Sequence, residues 1–240
     1  MRISERTTSP ASERTSAGVR RMFDRVAPRY DLANTVFSLG QDRLWRRAAA
    51  QATGLQAGEL ALDLACGTGL LAEELARVAP GARVLGLDFS WEMVRRAAGE
   101  PAGAQPWFGV ADALRLPLAD ASVDVVTIAF GLRNLPEPAV GLLELRRVLR
   151  PGGRLVVCEF SHPTVPLLRQ VYRRYLTRLM PLAARRLASD PEAYEYLARS
   201  IGAWPDQEGL ARWLTEAGFE RVRWRDLSGG IVALHWGAVG

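Results

Sequence analysis

The chain has 240 residues, of which 48% are hydrophobic, and this length and composition suit one well-packed domain. Its 31 basic residues are all arginine and outnumber the 26 acidic ones, and the net charge of +5 permits a nucleic-acid or anionic membrane partner without requiring one. Two cysteines argue against a disulfide framework, and the lack of a stretch of about 18 apolar residues argues against a membrane span, so we expect a cytoplasmic protein that is soluble or peripheral.

The first part of the chain predicts a tail followed by a helical preface. Residues 1–18 are rich in Ser, Thr and charge and nearly devoid of large apolar groups, which predicts a disordered tail. From Val19 apolar residues recur at spacings of three and four until Pro28, and a second amphipathic helix is predicted over Gln41–Ala52. We expect residues 19–53 to form a helical lid of the single domain that occupies residues 19–240.

A strand, a glycine turn and a helix come next, and the rest of the chain is organised around them. Leu60–Leu64 alternates apolar residues as a buried strand does, and the run CGTGLL from Cys66 is typical of a tight turn that opens a helix over Leu70–Val78. Gly67 and Gly69 let the backbone pass close to a ligand at the first amides of that helix.

The acidic residues around this turn indicate which ligand it binds. Asp88 ends the second predicted strand 21 residues after Gly67 (88 − 67), where a βαβ unit places a carboxylate for ribose hydroxyls. Dinucleotides and S-adenosylmethionine both use such a unit. The turn lacks the third glycine that packs against a pyrophosphate, and Asp63 stands just before it, where a cofactor's ammonium group can be met. Both features favour S-adenosylmethionine.

Strand and helix patterns alternate to the end of the chain, which predicts a doubly wound α/β sheet. Val123–Phe130 is almost entirely apolar, as a central parallel strand buried on both faces is. The last two strands are joined by Ser228-Gly229-Gly230, too short a link for a parallel crossover, so that pair is antiparallel. This mainly parallel, seven-stranded, Rossmann-like sheet with an antiparallel C-terminal hairpin resembles that of class I S-adenosylmethionine-dependent methyltransferases. The predicted strands are Leu60–Leu64, Arg83–Asp88, Pro106–Val110, Val123–Phe130, Arg154–Phe160, Arg221–Leu227 and Gly230–Trp236.

Several longer segments carry a more specific resemblance. FDRVAPRYD starts at Phe23, SLGQDRLWR at Ser38 and FGLRN at Phe130, and YEYL, WPDQ and GGIVALH follow towards the C-terminus. With them the chain resembles the ubiquinone and menaquinone biosynthesis C-methyltransferase family from Val19 to its end, and within it the bacterial enzymes that act on demethylmenaquinone. Departures from residues common in the family stand at Leu70, Ala129 and Asp42, where Asp, Ser and His are common.

The resemblance implies transfer of a methyl group from S-adenosylmethionine to a ring carbon of reduced demethylmenaquinone, which gives menaquinol. It carries cofactor contacts over to Thr68 in the turn, to Asp88 for the ribose hydroxyls, and to Asp112 with Ala113 for the adenine edge. The full expected cofactor site comprises Asp63, Gly67, Thr68, Gly69, Asp88, Phe89, Met93, Asp112, Ala113 and Ala129.

The acceptor chemistry suggests roles for four further residues. A ring carbon is a poor nucleophile until the neighbouring hydroxyl loses its proton, and a phenol titrates near pH ~10. Arg133, expected at the carboxyl end of the fourth strand, is the predicted stabiliser of the phenolate, and Asn134 is expected to orient the second ring oxygen. Tyr30 and Asp31 are expected to close the pocket and to hold a water or take part in proton removal. The two histidines lie in no metal-ligand spacing, and we expect no metal.

Residues 164–205 interrupt the pattern and predict a helical insertion over the acceptor pocket. In Thr164–Ser189 apolar residues share one helical face with six arginines between them, and two interpretations stay open. The face packs on the sheet, or it meets a membrane while the arginines approach anionic headgroups. The expected partners are a lipid-soluble demethylmenaquinol substrate, a membrane surface at the inner face of the cell membrane under the second interpretation, and a second copy of the chain in a homodimer.

Two other functions stay open at this point. The turn and the sheet do not identify the acceptor, so a C- or O-methyltransferase that acts on another quinol, phenolic or polyketide acceptor also fits. A nucleic-acid-binding protein fits less well, because the basic residues are mixed with acidic ones and no aromatic-basic RNA motif is present. We therefore expect no nucleic-acid partner.

Overall fold

The structure, a computed structural model, describes residues 16–27, 31, 35, 38–99, 106–180 and 191–240. Tyr30 and residues 1–15 of the predicted tail lie outside the described residues. Residues 16–18, which the sequence assigned to the tail, belong to the first helix, so that helix begins at Ser16 and not at Val19.

The chain builds a seven-stranded sheet in the order β3-β2-β1-β4-β5-β7-β6. Strands β1 to β5 pair in parallel, and β7 pairs antiparallel with both β5 and β6, so the predicted sheet is confirmed. The strand order reverses between β1 and β4, and in such sheets the crevice at the carboxyl ends of these strands is where ligands bind. The strands are β1 Leu60–Leu64, β2 Arg83–Asp88, β3 Trp107–Val110, β4 Val123–Ala129, β5 Leu149–Phe160, β6 Glu220–Leu227 and β7 Val232–Ala238.

Helices connect these strands and add a preface and an insertion. Two helix starts follow from capping side chains: Ser90 accepts a hydrogen bond from the Met93 amide at 3.2 Å, and Asp206 accepts one from the Gly209 amide at 2.9 Å. A π-helical turn, Tyr175–Leu179, continues the first helix of the insertion. The helices are α1 Ser16–Val26, α2 Gln41–Ala52, α3 Leu70–Val78, α4 Trp91–Ala98, α5 Pro138–Val148, α6 Pro166–Arg174, α7 Pro191–Gly202 and α8 Gln207–Glu216.

The sheet is buried on both faces because its central strands are apolar on both. Along β4, Val125 packs in the cluster that holds α2 and α3, whereas Val126 packs in the cluster that holds α5 and α8. Both valines are fully buried, and burial of each such side chain stabilises the fold by about 1.5–3 kcal/mol. These two layers fix the strand ends, and with them the residues that follow each strand.

Strand β5 differs from the prediction, which started it at Arg154. It begins at Leu149, because Pro151-Gly152-Gly153 does not leave the sheet: the Gly152 amide donates to the Val239 carbonyl at 2.8 Å. The pairing with β4 shifts register at this point, so the glycines form an irregularity within the strand. No described helix is long and apolar enough to cross a membrane.

Candidate active site

The turn after β1 is tight, as its glycines predict. Gly67 and Gly69 have φ of 56° and 87°, the left-handed region that favours glycine. Ala65 shares that region with φ of 53°. A Cβ on Gly69 would lie 2.7 Å from the Phe108 ring, so glycine is required there for packing as well as for conformation.

A cavity of about 480 Å³ lies at the carboxyl ends of β1, β2 and β4, and we call it the strand-end cavity. Helix α1 contributes Arg20 and Phe23 to its wall. Most of the predicted cofactor residues line it as well: Gly67, Asp88, Phe89, Met93, Asp112, Ala113 and Ala129.

Asp88 is held in the wall of this cavity by backbone amides. One carboxylate oxygen accepts from the Gly67 amide and the other from the Ser90 amide, each at 2.9 Å. Burial raises the pKa of Asp88, and the two amide donors act in the opposite direction. The Ser90 hydroxyl donates to Asp24 of α1 at 2.5 Å, which ties the preface to the end of β2.

The wall of the strand-end cavity combines an exposed acid with buried apolar groups. Asp112 is exposed and accepts a hydrogen bond from the Leu114 amide at 2.9 Å, whereas Ala113 and Met93 are buried. Phe89 meets Phe23 of α1 edge to face, with ring centroids 6.1 Å apart. An apolar slot with one acid at its edge suits a flat heteroaromatic ring that carries an amino group.

Three predicted cofactor residues, Asp63, Thr68 and Gly69, do not line the cavity. Asp63 is buried, accepts from the Thr127 hydroxyl at 2.8 Å, and its second oxygen has no hydrogen-bond partner among the described residues. Burial raises the pKa of Asp63 to about 7, although the Thr127 hydrogen bond lowers it. Thr68 donates to Asp31 at 2.8 Å, so the preface contacts the glycine turn at two residues that the sequence singled out.

A second cavity, of about 350 Å³, lies between α2, α6, α7 and the ends of β4 and β5, and we call it the helical cavity. Its walls are mainly apolar and aromatic. Phe130, which has a φ of 56°, lines both cavities. Its ring packs against Phe160 and Trp45 at centroid distances of 4.9 and 5.8 Å. The two cavities therefore meet at Phe130.

Arg133 follows β4 and lines the helical cavity, but it is not a free cation. It is buried, and its guanidinium pairs with Glu159 at 2.9 Å, donates to the Phe130 carbonyl and lies 5.1 Å from the centroid of the Phe160 ring. Within the part of the chain that the structure describes, Arg133 Nε is buried without a hydrogen-bond partner. Burial raises the pKa of Glu159, and Arg133 acts against that rise.

Asn134 lines the strand-end cavity and not the helical cavity. Its side-chain amide donates to the Phe130 carbonyl at 3.1 Å and its oxygen accepts from the Tyr196 hydroxyl at 3.1 Å. Arg133 and Asn134, neighbours in the chain, thus face different cavities on the two sides of Phe130.

Sequence reasoning missed two charged pairs at the helical cavity. In the sequence, Glu159 looks like one more residue of a buried strand. The only feature that could have indicated a functional role is that it is an acid within the apolar run RLVVCEF. Asp42 and Arg46, whose side chains pair at 2.5 Å, both line the cavity from α2. Their spacing of four on a predicted helix was a usable signal.

The sheet order, the glycine turn and the buried carboxylate at the end of β2 define a class I S-adenosylmethionine-dependent methyltransferase. The chain belongs to the ubiE/COQ5 methyltransferase family, whose sequence profile matches residues 10–239, and this confirms the resemblance seen in the motifs.

A similar protein is the demethylmenaquinone methyltransferase of Mycobacterium sp. (strain KMS), 55% identical over 89% of this chain and 90% of that protein. Two solved structures share the fold. One is an S-adenosylmethionine-dependent methyltransferase of Thermotoga maritima, with a TM-score of 0.66 and 19% identity over 92% of this chain and all of that one. The other is human N-acetylserotonin methyltransferase in complex with S-adenosylmethionine, with a TM-score of 0.60 and 18% identity over 95% of this chain and 57% of that one.

Proposed function

We propose that this methyltransferase transfers a methyl group from S-adenosylmethionine to a ring carbon of reduced demethylmenaquinone, yielding menaquinol. The observation that carries the proposal is the apolar helical cavity, which meets the strand-end cavity at Phe130 and holds a buried arginine in its wall. A fused aromatic ring with an apolar tail suits such walls, and relatives of more than half identity bear the name of this activity.

The residues of the strand-end cavity fit S-adenosylmethionine. The Asp88 carboxylate is already fixed by two amides and has lone pairs left for both ribose hydroxyls. The apolar side chains of Phe89 and Met93, together with the exposed Asp112, suit the adenine. Bound S-adenosylmethionine supplies an electrophilic methyl group on a positively charged sulfur that leaves as a neutral thioether.

Arg133 acts on the acceptor in this proposal. Its guanidinium belongs to the wall of the helical cavity, and the permanent positive charge suits a ring oxygen that becomes negative. The Glu159 pair and the Phe160 ring hold the guanidinium in place. Asn134 lines the strand-end cavity beside Phe130, and its role towards the second ring oxygen stays a prediction.

A panel of acceptors tests the function. The protein is incubated with labelled S-adenosylmethionine and, in separate reactions, reduced demethylmenaquinone, another quinol, a simple phenol and a phenolic polyketide, and products are identified by mass. We expect reduced demethylmenaquinone to be methylated fastest. Faster methylation of a different acceptor would replace this proposal with one of the alternatives that the sequence left open.

Asp63 predicts a pH dependence of cofactor binding. Because burial raises its pKa to about 7, the carboxyl is largely protonated in the free protein below that pH. A bound cation favours the charged form, so binding releases a proton and tightens as pH rises through about 7. We expect affinity for S-adenosylmethionine to increase about tenfold from about pH 6 to about pH 8. Calorimetry on Asp63→Asn is the control, and an identical pH dependence in that variant would exclude this role.

We also propose that the enzyme works at the inner face of the cell membrane, because its acceptor is lipid-soluble. The exposed side of the insertion supports this: Leu167, Val171 and Leu179 are 72%, 55% and 59% exposed, whereas Leu176 of the same segment is buried. Val171 and Leu179 also line the helical cavity, so they lie at its rim. Exposed arginines lie between them, which suits anionic headgroups.

Replacing Arg173, Arg174 and Arg178 by glutamine is expected to weaken sedimentation with anionic liposomes by up to about 100-fold, since each arginine near such a surface contributes about 1 kcal/mol. The matched control replaces three exposed arginines of the edge strand β6, Arg221, Arg223 and Arg225, and should leave liposome binding unchanged. Equal weakening in both variants would mean that net charge, and not this face, carries the attachment. The homodimer stays a prediction.

A further inference from the structure

We propose that Asp42 is the general base that takes the proton from a ring hydroxyl of the acceptor. The inference rests on the proposed function, since it concerns a quinol bound in the helical cavity. Among the described residues that line this cavity, Asp42 is the one carboxylate. The arginines there are permanent cations and cannot accept a proton.

Tyrosines are the other titratable groups of this wall, and they are poor acceptors. Burial raises the pKa of Tyr172 and of Tyr175, so both stay neutral hydroxyls. The charged and titratable groups around Asp42 are Arg46 on its own helix, Arg133 with its partner Glu159 and the two tyrosines across the cavity, and Asp63 and Cys158, which interact with Arg46. Asp63, Cys158 and Glu159 line neither cavity, so none of them replaces Asp42 as the base.

The carboxylate of Asp42 is held in place by two donors. It is only 4% exposed, and it accepts from the Ser38 hydroxyl at 3.0 Å on one oxygen and from Arg46 at 2.5 Å on the other. The Asp42 amide donates to the same Ser38 hydroxyl at 3.3 Å. Arg46 is the ion-pair partner of the buried carboxylate, and each carboxylate oxygen keeps a lone pair for an acceptor hydroxyl.

Helix α2 places Asp42 near the point where the reaction must occur. Trp45 is three residues further along the same helix and so shares its face with Asp42. The Trp45 ring lies 5.8 Å from the ring of Phe130, which lines both cavities. A quinol ring at this junction has two hydroxyl oxygens, and the wall contains two side chains of opposite charge: the guanidinium of Arg133 and the carboxylate of Asp42.

In the proposed step, the O–H bond of the quinol breaks, its proton moves to the Asp42 carboxylate, and its electron pair stays on oxygen and conjugates into the ring. The ring carbon then forms a bond to the methyl group while the sulfur–methyl bond breaks with its pair on sulfur. The ring carbon loses its own hydrogen as a proton to water, and Asp42 returns its proton to the ring oxygen. One proton is released per turnover, and the carboxylate is regenerated.

Asp42→Asn tests this step, because asparagine keeps the shape and can still accept from Ser38 but cannot take up a proton. We expect kcat for reduced demethylmenaquinone to fall about 100- to 10,000-fold with affinity for S-adenosylmethionine unchanged. Its rate should recover as pH rises, since hydroxide then deprotonates the quinol. Arg46→Gln breaks the ion pair but keeps the carboxylate. Its kcat should therefore still fall as pH decreases, as expected for a carboxylate base.

Asp42→His is the second variant, and it decides the matter if the asparagine variant does not fold. An imidazole is itself a base, so turnover should persist, with the acidic limb moved towards the ordinary histidine value of about 6.5. A wild-type rate and profile in Asp42→Asn, or an unmoved limb in Asp42→His, would overturn Asp42 as the base and leave the proposed function standing. A wild-type protein without activity on reduced demethylmenaquinone would overturn both.

Discussion

Arg133→Met is expected to lower kcat by about 100- to 1,000-fold and to destabilise the protein by about 3–5 kcal/mol. The two effects have different causes. Turnover falls because the donor proposed for the developing phenolate is removed. Stability falls because the fully buried Glu159 loses its ion-pair partner, and an unpaired carboxylate is costly in an apolar surrounding. Denaturant unfolding and single-turnover kinetics measure the two separately.

The pH dependence of this loss has a definite sign. Burial raises the pKa of Glu159 above its ordinary value, and removal of Arg133 takes away the charge that opposes the rise. The folded state then binds a proton that the unfolded state has already lost, so stability falls as pH increases. The deficit of Arg133→Met should therefore be smaller near about pH 5 than near about pH 8.

A double variant separates catalysis from stability. Arg133→Met with Glu159→Leu removes both charges, and such replacements of buried pairs are often neutral or stabilising. We expect the double variant to regain stability without regaining turnover. Recovery of turnover together with stability in the double variant would mean that Arg133 serves the fold alone. An Arg133→Met protein as stable as wild type would contradict the proposed role of the ion pair.

Asp88→Asn is expected to weaken binding of S-adenosylmethionine at least about 100-fold, since a hydrogen bond to a charged acceptor contributes about 1.5–3 kcal/mol and two ribose hydroxyls are involved. Asparagine suits this test better than alanine, because alanine would leave both the Gly67 and Ser90 amides without an acceptor. Isothermal titration calorimetry on the folded variant gives the dissociation constant.

The matched control is Ser90→Ala, which removes the cap of α4 and the hydrogen bond to Asp24 but keeps the carboxylate. It should cost about 1 kcal/mol of stability and change cofactor affinity little. If Ser90→Ala weakens binding as much as Asp88→Asn does, the local structure at the end of β2, and not the charge, governs affinity.

Much of the fold follows from local pattern. The unbroken apolar run of β4 has to be covered on both faces, which predicts a central parallel strand. A three-residue link cannot cross over a sheet, which predicts the antiparallel pair at the end of the chain. The Ser90 cap and the left-handed Gly67 and Gly69 were also local signals. The start of β5 could not be predicted from local pattern, because the Gly152 amide pairs with a carbonyl close to the end of the chain.

The parts of the site that sequence missed are contacts between distant segments. Glu159 lies 26 residues after Arg133, and only the register of β4 with β5 brings them together. Asn134 and Tyr196, 62 residues apart, meet through the packing of the insertion. Asp42 and Arg46 were within reach of a helical pattern, but their place in the cavity wall depends on how α2 packs on the sheet.

The most direct test of the account is the position and redox dependence of methylation in one defined acceptor. Wild-type protein is incubated with labelled S-adenosylmethionine and demethylmenaquinone, either chemically reduced or left oxidised, and the methyl group is located by fragmentation of the product. We predict a methyl group on the ring carbon from the reduced form and no product from the oxidised form. A methyl group on a ring oxygen, or equal yields from both forms, would contradict the account.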